Sequence, residues 1–320
     1  MSILSLFSIS FIASFLLIPL YCRLVKKSSL LALPDKRSSH LTPTPSGGGI
    51  VFFCLFSLVS VFNNNFWQLT CLPLALVGFF DDRSNLSPKV RYFFQLLTML
   101  LIVIFCGQNY FLSGEYINLY LVLRLIMIFF IGTAIINLIN FMDGLDGLVG
   151  LSMTIVFITL SIALSINNLW SLVGALIGFL IWNFQSSKIF MGDSGSTSIS
   201  AIFIFLSLQS GQFVDSFKIV LLLSPLLLDS SICIFRRFVN GQNIFSPHKL
   251  HLYQRLNQAG WSHIKVALIY GLGTLCMCLA YLFFNISLMF LLVLIELLIG
   301  FYLEKNYSKS FQSILRNKNL

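Results

Sequence analysis

The chain has 320 residues, of which 57% are hydrophobic, 33 are Phe and only 10% are charged, with a formal net charge of +9. This composition excludes an ordinary soluble core and fits a chain that spends most of its length in a bilayer. The basic residues are not interleaved with aromatic platforms, so no nucleic-acid partner is expected.

A bilayer's hydrocarbon layer needs about 20 apolar residues per helix. In chain order, spans are predicted at 3–21, 47–62, 66–80, 90–107, 119–139, 147–165, 168–185, 194–210, 218–235, 265–283 and 286–303. That makes about eleven, with ten as the alternative count. The fold class is therefore an all-α polytopic membrane helix bundle, one domain over 1–304 with a short basic tail at 305–320. The first span is read as a retained helix, since YCRLVKK follows it in place of a small-residue cleavage pattern.

Alternating the loops across these spans puts every Lys and Arg except Arg124 and Lys218 on one side. Because basic residues stay preferentially in the cytoplasm, the N-terminus is predicted outside (periplasmic) and the C-terminus in the cytoplasm. The positive charge then serves topology and anionic lipids, or a pocket for an anionic substrate. The seven cysteines lie in or beside apolar spans without a CxxC pair, and they read as small apolar filler with no disulfide or zinc framework.

The cytoplasmic loops expected to carry the site are 22–46, 81–91, 140–147, 186–196 and 236–265, and most of the acids gather in the first four. A basic face that also collects carboxylates at helix ends can hold a divalent cation and a phosphorylated ligand together. In LPDKRSSHLTPTPSGGGI, Arg37 and His40 could meet phosphate where a helix begins. In GFFDDRSNLSPKVRYFFQ, Asp81 and Asp82 repel each other, which suits a metal site or a general base, and Lys89 and Arg91 lie near enough to balance them or to receive phosphate.

NFMDGLDGL puts Asn140, Asp143 and Asp146 three apart, on one face of a helical turn. In KIFMGDSGSTS, Asp193 would hold metal while the N–H groups of the helix start hold phosphate. The last loop, RRFVNGQNIFSPHKLHLYQRLNQAGWSHIK, carries His248, His251 and His263. The first two, also three apart, suit phosphate binding or acid chemistry near neutral pH; a zinc site is not expected, because no Cys or paired acid completes one. Asp229 is read either as support beneath a metal or basic group, or as a helix-packing polar group. Glu296, inside the last span, is read as a helix contact or a lipid-adjacent acid. A transporter would place such groups near the bilayer midplane, whereas here nearly all sit at the cytoplasmic edge.

These five motifs, in this order on one face of an eleven-span bundle, resemble the polyprenyl-phosphate N-acetylhexosamine-1-phosphate transferase family, which includes MraY, WecA and WbpL. The resemblance covers roughly residues 20–265. It implies a multi-pass protein of the bacterial inner membrane with its site facing the cytoplasm. The implied reaction moves a sugar 1-phosphate from a UDP-N-acetylsugar to undecaprenyl phosphate with Mg²⁺ or Mn²⁺; a homodimer is compatible with it.

It also implies roles: Asp81 prepares the lipid phosphate beside Asp82, Asp193 and Asp82 hold metal, Asn140, Asp143 and Asp146 meet the nucleotide sugar, and His248 and His251 form the family's His-rich loop. PHKLHLYQ lacks the third adjacent His of the WecA-like pattern, and DDRSN has Asn85 where relatives often have Asp. SSHLTPTPSGGG and PHKLHLYQRL are more similar to the WbpL-type O-antigen branch than to the MraY branch, so UDP-GlcNAc, UDP-GalNAc or a 6-deoxy donor such as UDP-FucNAc or UDP-QuiNAc is expected.

Overall fold

A computed structural model describes residues 1–25, 30–33, 42–106, 119–184, 188–244, 246 and 248–316. The chain is an all-α polytopic membrane protein. Its helices are α1 (Ile3–Val25), α2 (Gly49–Phe62), α3 (Leu72–Ser84), α4 (Pro88–Cys106), α5 (Leu119–Met142), α6 (Leu148–Ala163), α7 (Leu169–Phe184), α8 (Gly192–Leu208), α9 (Phe213–Leu221), α10 (Ser224–Val239), α11 (Leu252–Gln258), α12 (His263–Phe283), α13 (Ile286–Tyr307) and α14 (Phe311–Arg316). The described β structure is one two-residue pair, Leu31–Ala32 with Thr44–Pro45.

Each predicted span falls mainly on helix; among the described residues five helices are long and apolar enough to cross a membrane, or six if α9 and α10 count as one broken span. Two expectations are corrected. The span predicted at 218–235 is broken, with α9 and α10 meeting at 83°. Pro225 sits at the start of α10, where it has no N–H to continue the α9 ladder. The tail does not begin at 305 either: α13 runs to Tyr307, and Phe311 folds back to pack with Cys233 and Leu250.

Large apolar side chains stay exposed along α1, α4, α5 and α13, as expected of surfaces that face lipid. The opposite holds for α8, which packs against α2, α3, α4, α5 and α6 and is buried from Ser194 to Ser207. Its many small residues permit this. Ser196, Thr197, Ser198 and Ser200 satisfy their hydroxyls on carbonyls one turn back within the helix. Small residues let α7 meet α1 as well: Gly174 and Gly178 lie against the carbonyls of Phe7 and Phe11. Close approach of α2, α3 and α8 depends on Gly49 against the backbone of Gly195 and Gly78 against that of Asp193 and Ser194. These contacts bring helix ends 81–82, 140–147 and 192–196 to one end of the bundle.

Candidate active site

The centre of that end is a set of carboxylates from α3 and α8, met by Arg91 of α4 and Asn140 of α5. Asn85 closes α3 in the left-handed conformation (φ 50°), one that Asn tolerates, and the chain turns so that the Leu86 N–H reaches Oδ1 of Asp81 at 2.5 Å. The guanidinium of Arg91, on the first turn of α4, lies 3.0 Å from Oδ2 of Asp81 and 3.4 Å from Oδ2 of Asp193. Asn140, near the end of α5, donates to Oδ1 of Asp193 at 3.0 Å and to Ser196 at 3.2 Å. Three motifs far apart in sequence thus meet at Asp193.

Asp82 has a different task. Its Oδ1 accepts the N–H of Asp193 at 2.8 Å and its Oδ2 that of Ser194 at 3.1 Å, so α3 caps α8. The expectation that these N–H groups hold phosphate is therefore corrected: a built-in anion already occupies them. Gly192 (φ 73°) makes the approach feasible, since a Cβ there would collide with the Asp82 carboxylate. Ser46, whose carbonyl accepts the Tyr21 hydroxyl at 2.8 Å, lies 3.5 Å from Asp82.

Asn140, Asp143 and Asp146 do not share a face. Helix α5 ends at Met142, and a turn through Gly147 (φ 75°) separates it from α6. Consequently Asp146 points to α12, where His263 Nδ1 lies 2.7 Å from its Oδ2, a pairing the spacing alone did not show. Asp143 lies close enough to Asp82 and Asp146 for their charges to add. Its carboxylate has no hydrogen-bond partner among the described residues, and burial, then those charges, push it up to about 8. The turn itself is held by Asn183, which accepts the Gly147 N–H at 2.6 Å and donates to Ile189 O.

The His-rich loop sits on a buried scaffold. Asp229 accepts the N–H groups of Leu252 and Tyr253 and the Tyr270 hydroxyl, at 2.8, 3.0 and 2.6 Å. Of the two readings, these contacts match the packing polar group: Asp229 joins α10 to the start of α11 and to α12. Arg237 and Arg255 are buried and spend their donors on loop and tail carbonyls, Ser246, Ser308, Gln242 and Glu304. Glu296 resolves to a helix contact, accepting from Ser224 at 2.6 Å.

His248 and His251 stack at 4.8 Å between ring centroids, and Tyr253 stacks on His251 at 5.6 Å. Burial, then Arg237 and Arg255, pull His251 down to about 3, so it is neutral at pH 7 and the acid role near neutrality is corrected. The absence of a nearby cysteine is corrected too, because Cys233 lies beside both rings. Lys89 is exposed without an ion-pair partner among the described residues. Arg37 and His40 lie outside the described residues.

The donor set fits a hard cation. Asp143 and Asp193 with the Asn140 amide oxygen offer oxygen ligands, the kind Mg²⁺ and Mn²⁺ take, whereas both oxygens of Asp81 are already engaged by the Leu86 N–H and Arg91. The Asp143 carboxyl, raised by burial and then by the neighbouring anions, is the group a cation would relieve. Asp82 fits less well, because each of its oxygens already accepts an N–H.

The model of glycosyl transferase family 4 matches residues 65–211, which carry the Asp81, Asn140 and Asp193 motifs. A Bacillus subtilis protein named "Probable undecaprenyl-phosphate N-acetylglucosaminyl 1-phosphate transferase" is 30% identical over 293 residues, covering 83% of this chain and 81% of that one. A decaprenyl-phosphate N-acetylglucosaminephosphotransferase of Mycobacterium tuberculosis is 30% identical, covering 77% and 73%. A phospho-N-acetylmuramoyl-pentapeptide-transferase of Orientia tsutsugamushi is 27% identical, covering 81% and 86%. On this similarity over most of both lengths, the chain belongs to glycosyl transferase family 4.

Proposed function

We propose that the protein transfers an N-acetylhexosamine 1-phosphate from a UDP-linked sugar to a polyprenyl phosphate, releasing UMP, with Mg²⁺ or Mn²⁺. The observation that carries the reading is the meeting of Asp81, Arg91, Asn140 and Asp193 at one point of a membrane bundle, in a chain similar to transferases of this kind. An oxygen of the lipid phosphate forms a bond to the sugar-bearing phosphorus, and the bond from that phosphorus to the bridging oxygen of UDP breaks, leaving with UMP. Both oxygens of Asp81 are engaged, by the Leu86 N–H and Arg91, which favours attack by the lipid phosphate itself over a phospho-enzyme.

In this mechanism Asp81 and Arg91 orient the lipid phosphate, and Arg91 is the cation that leaves the carboxylates to meet it. Asp193, Asp143 and Asn140 hold the divalent ion, which when bound neutralises the charge gathering on the phosphoryl oxygens. Asp82 keeps α8 in place, and Asp146 with His263, together with His248 and His251, faces the donor. Catalysis is then mainly positioning and electrostatics. The distribution of Lys and Arg supports a bacterial inner-membrane location with the site facing the cytoplasm. The donor is a UDP-N-acetylsugar of the O-antigen or envelope-polysaccharide type.

The test is UMP release by purified protein with undecaprenyl phosphate, Mg²⁺ and a panel comprising UDP-GlcNAc, UDP-GalNAc, UDP-FucNAc, UDP-QuiNAc and UDP-N-acetylmuramoyl-pentapeptide. Release with one donor, lost in Asp81→Asn, Asp143→Asn and Asp193→Asn while membrane insertion persists, is expected. Turnover retained in all three variants would overturn the mechanism.

A further inference from the structure

We infer that Cys233, His248 and His251 form a binding site for a soft divalent cation of the zinc class, separate from the oxygen-donor site at Asp193, and that filling it inhibits transfer. One ligand atom from each of the three residues lies within 4.8 Å of the other two. Thiolate and imidazole select zinc-like ions, whereas carboxylates and amide oxygens select Mg²⁺, so the two sites discriminate by donor chemistry. A tetrahedral zinc with bonds of about 2.3 Å to sulfur and 2.0 Å to nitrogen spaces its ligand atoms about 3.5 Å apart. The remaining distance of about 1 Å is closed by a turn of the half-buried His248 ring, which gives up the long 3.4 Å contact of its Nδ1 with the Leu250 N–H.

A second, independent observation points the same way. His251 is 2% exposed, and its Nδ1 faces the Gln254 N–H at the start of α11 without making a well-formed hydrogen bond. That atom lies 3.8 Å from Oδ1 of Asp229, which three hydrogen bonds hold in place. Binding of an ion through the other ring nitrogen would let the Nδ1–H close on Asp229, the carboxylate–histidine–metal arrangement that orients such ligands. Cys233 and Leu250 also line an apolar cavity between α10, α12 and α13, while half-buried His248 leaves the site reachable from the loop side. On binding, the Cys233 thiol passes its proton to solvent and the sulfur donates to the metal. Three protein ligands leave a fourth position for water.

Inhibition rests on the functional reading above, in which His248 and His251 face the donor; binding does not. Co²⁺ serves as the spectroscopic probe with purified, reduced full-length protein, and Zn²⁺ as its competitor. The wild type should show a thiolate-to-cobalt charge-transfer band at one equivalent, displaced by Zn²⁺. Cys233→Ser should lose the band, and Zn²⁺ affinity should fall by at least the 10- to 100-fold, roughly, that loss of an outer-shell partner costs. Cys54→Ser, on α2, should change neither.

In the presence of excess Mg²⁺, Zn²⁺ should slow UMP release by the wild type and leave Cys233→Ser, which keeps full basal activity, unaffected. No band in the wild type, or one that survives in Cys233→Ser, overturns the site. Equal Zn²⁺ inhibition of both proteins overturns the regulatory part. Should no donor yield UMP, the transferase reading fails, and the cobalt titration still decides the site.

Discussion

Gly78 lies one turn before Asp81, on the face of α3 that touches α8. A Cβ at this position would stand 2.6 Å from the carbonyl carbon and oxygen of Asp193 and from Cα of Ser194, against 3.4–4 Å for ordinary contact. The obstacle is backbone, so no rotamer change relieves it. In Gly78→Ala the two helices must part by about 1 Å, at an overpacking cost of about 1–3 kcal/mol. The same shift separates Asp81 and Arg91 from Asp193, and a misplacement of that size costs about 100-fold in rate.

The expected result is therefore a kcat for UMP release about 100-fold below wild type, with folded protein still recovered as a sharp peak by size exclusion in detergent. Gly132→Ala is the matched control: its new methyl meets the thioether of Met99, a flexible side chain that can move aside. It should stay within about threefold of wild type, less than 1 kcal/mol. Equal rates for the two variants would refute the argument that α3–α8 spacing sets the reacting geometry.

Asp82→Asn replaces an anion at the start of α8 and turns one acceptor into a donor that faces an N–H; a loss of about 2 kcal/mol is expected, read as a lower thermal midpoint, together with loss of turnover. Asp229→Asn should cost about 2–3 kcal/mol and show as faster hydrogen exchange over 248–258, with α6 and α8 unchanged.

The pH dependence follows from Asp143. Its carboxyl is raised from 3.8 to about 8, so between those values the folded state binds the extra proton and the stability of the metal-free protein falls as pH rises. Asp143→Asn removes this term, so its thermal midpoint should fall less steeply than that of the wild type between about pH 4 and 8; parallel profiles would count against the assignment.

Much of the molecule is legible in its sequence, and for a simple reason. Lipid demands apolar length for every crossing and tolerates acid only where it is used, so both the spans and the loops that matter stand out against 57% hydrophobic residues. Pro225 was visible too, but its consequence depended on where α9 stopped. Partnership among the acids was not legible. Asp81 and Asp82 are neighbours, yet one faces Arg91 and the other caps α8, because adjacent helix positions point about 100° apart.

The spacing of Asn140, Asp143 and Asp146 suggested one face, but the turn at Gly147 sends Asp146 to His263. Cys233 passed for filler, and only the folding of the loop over α10 brings it to His248 and His251. The sequence by itself determined which residues are costly to keep in a membrane, since that cost is local to each side chain. The tertiary structure decided which of them touch, since that depends on helix contacts such as Gly49 on Gly195 and Gly78 on Asp193, set by residues more than 100 positions apart.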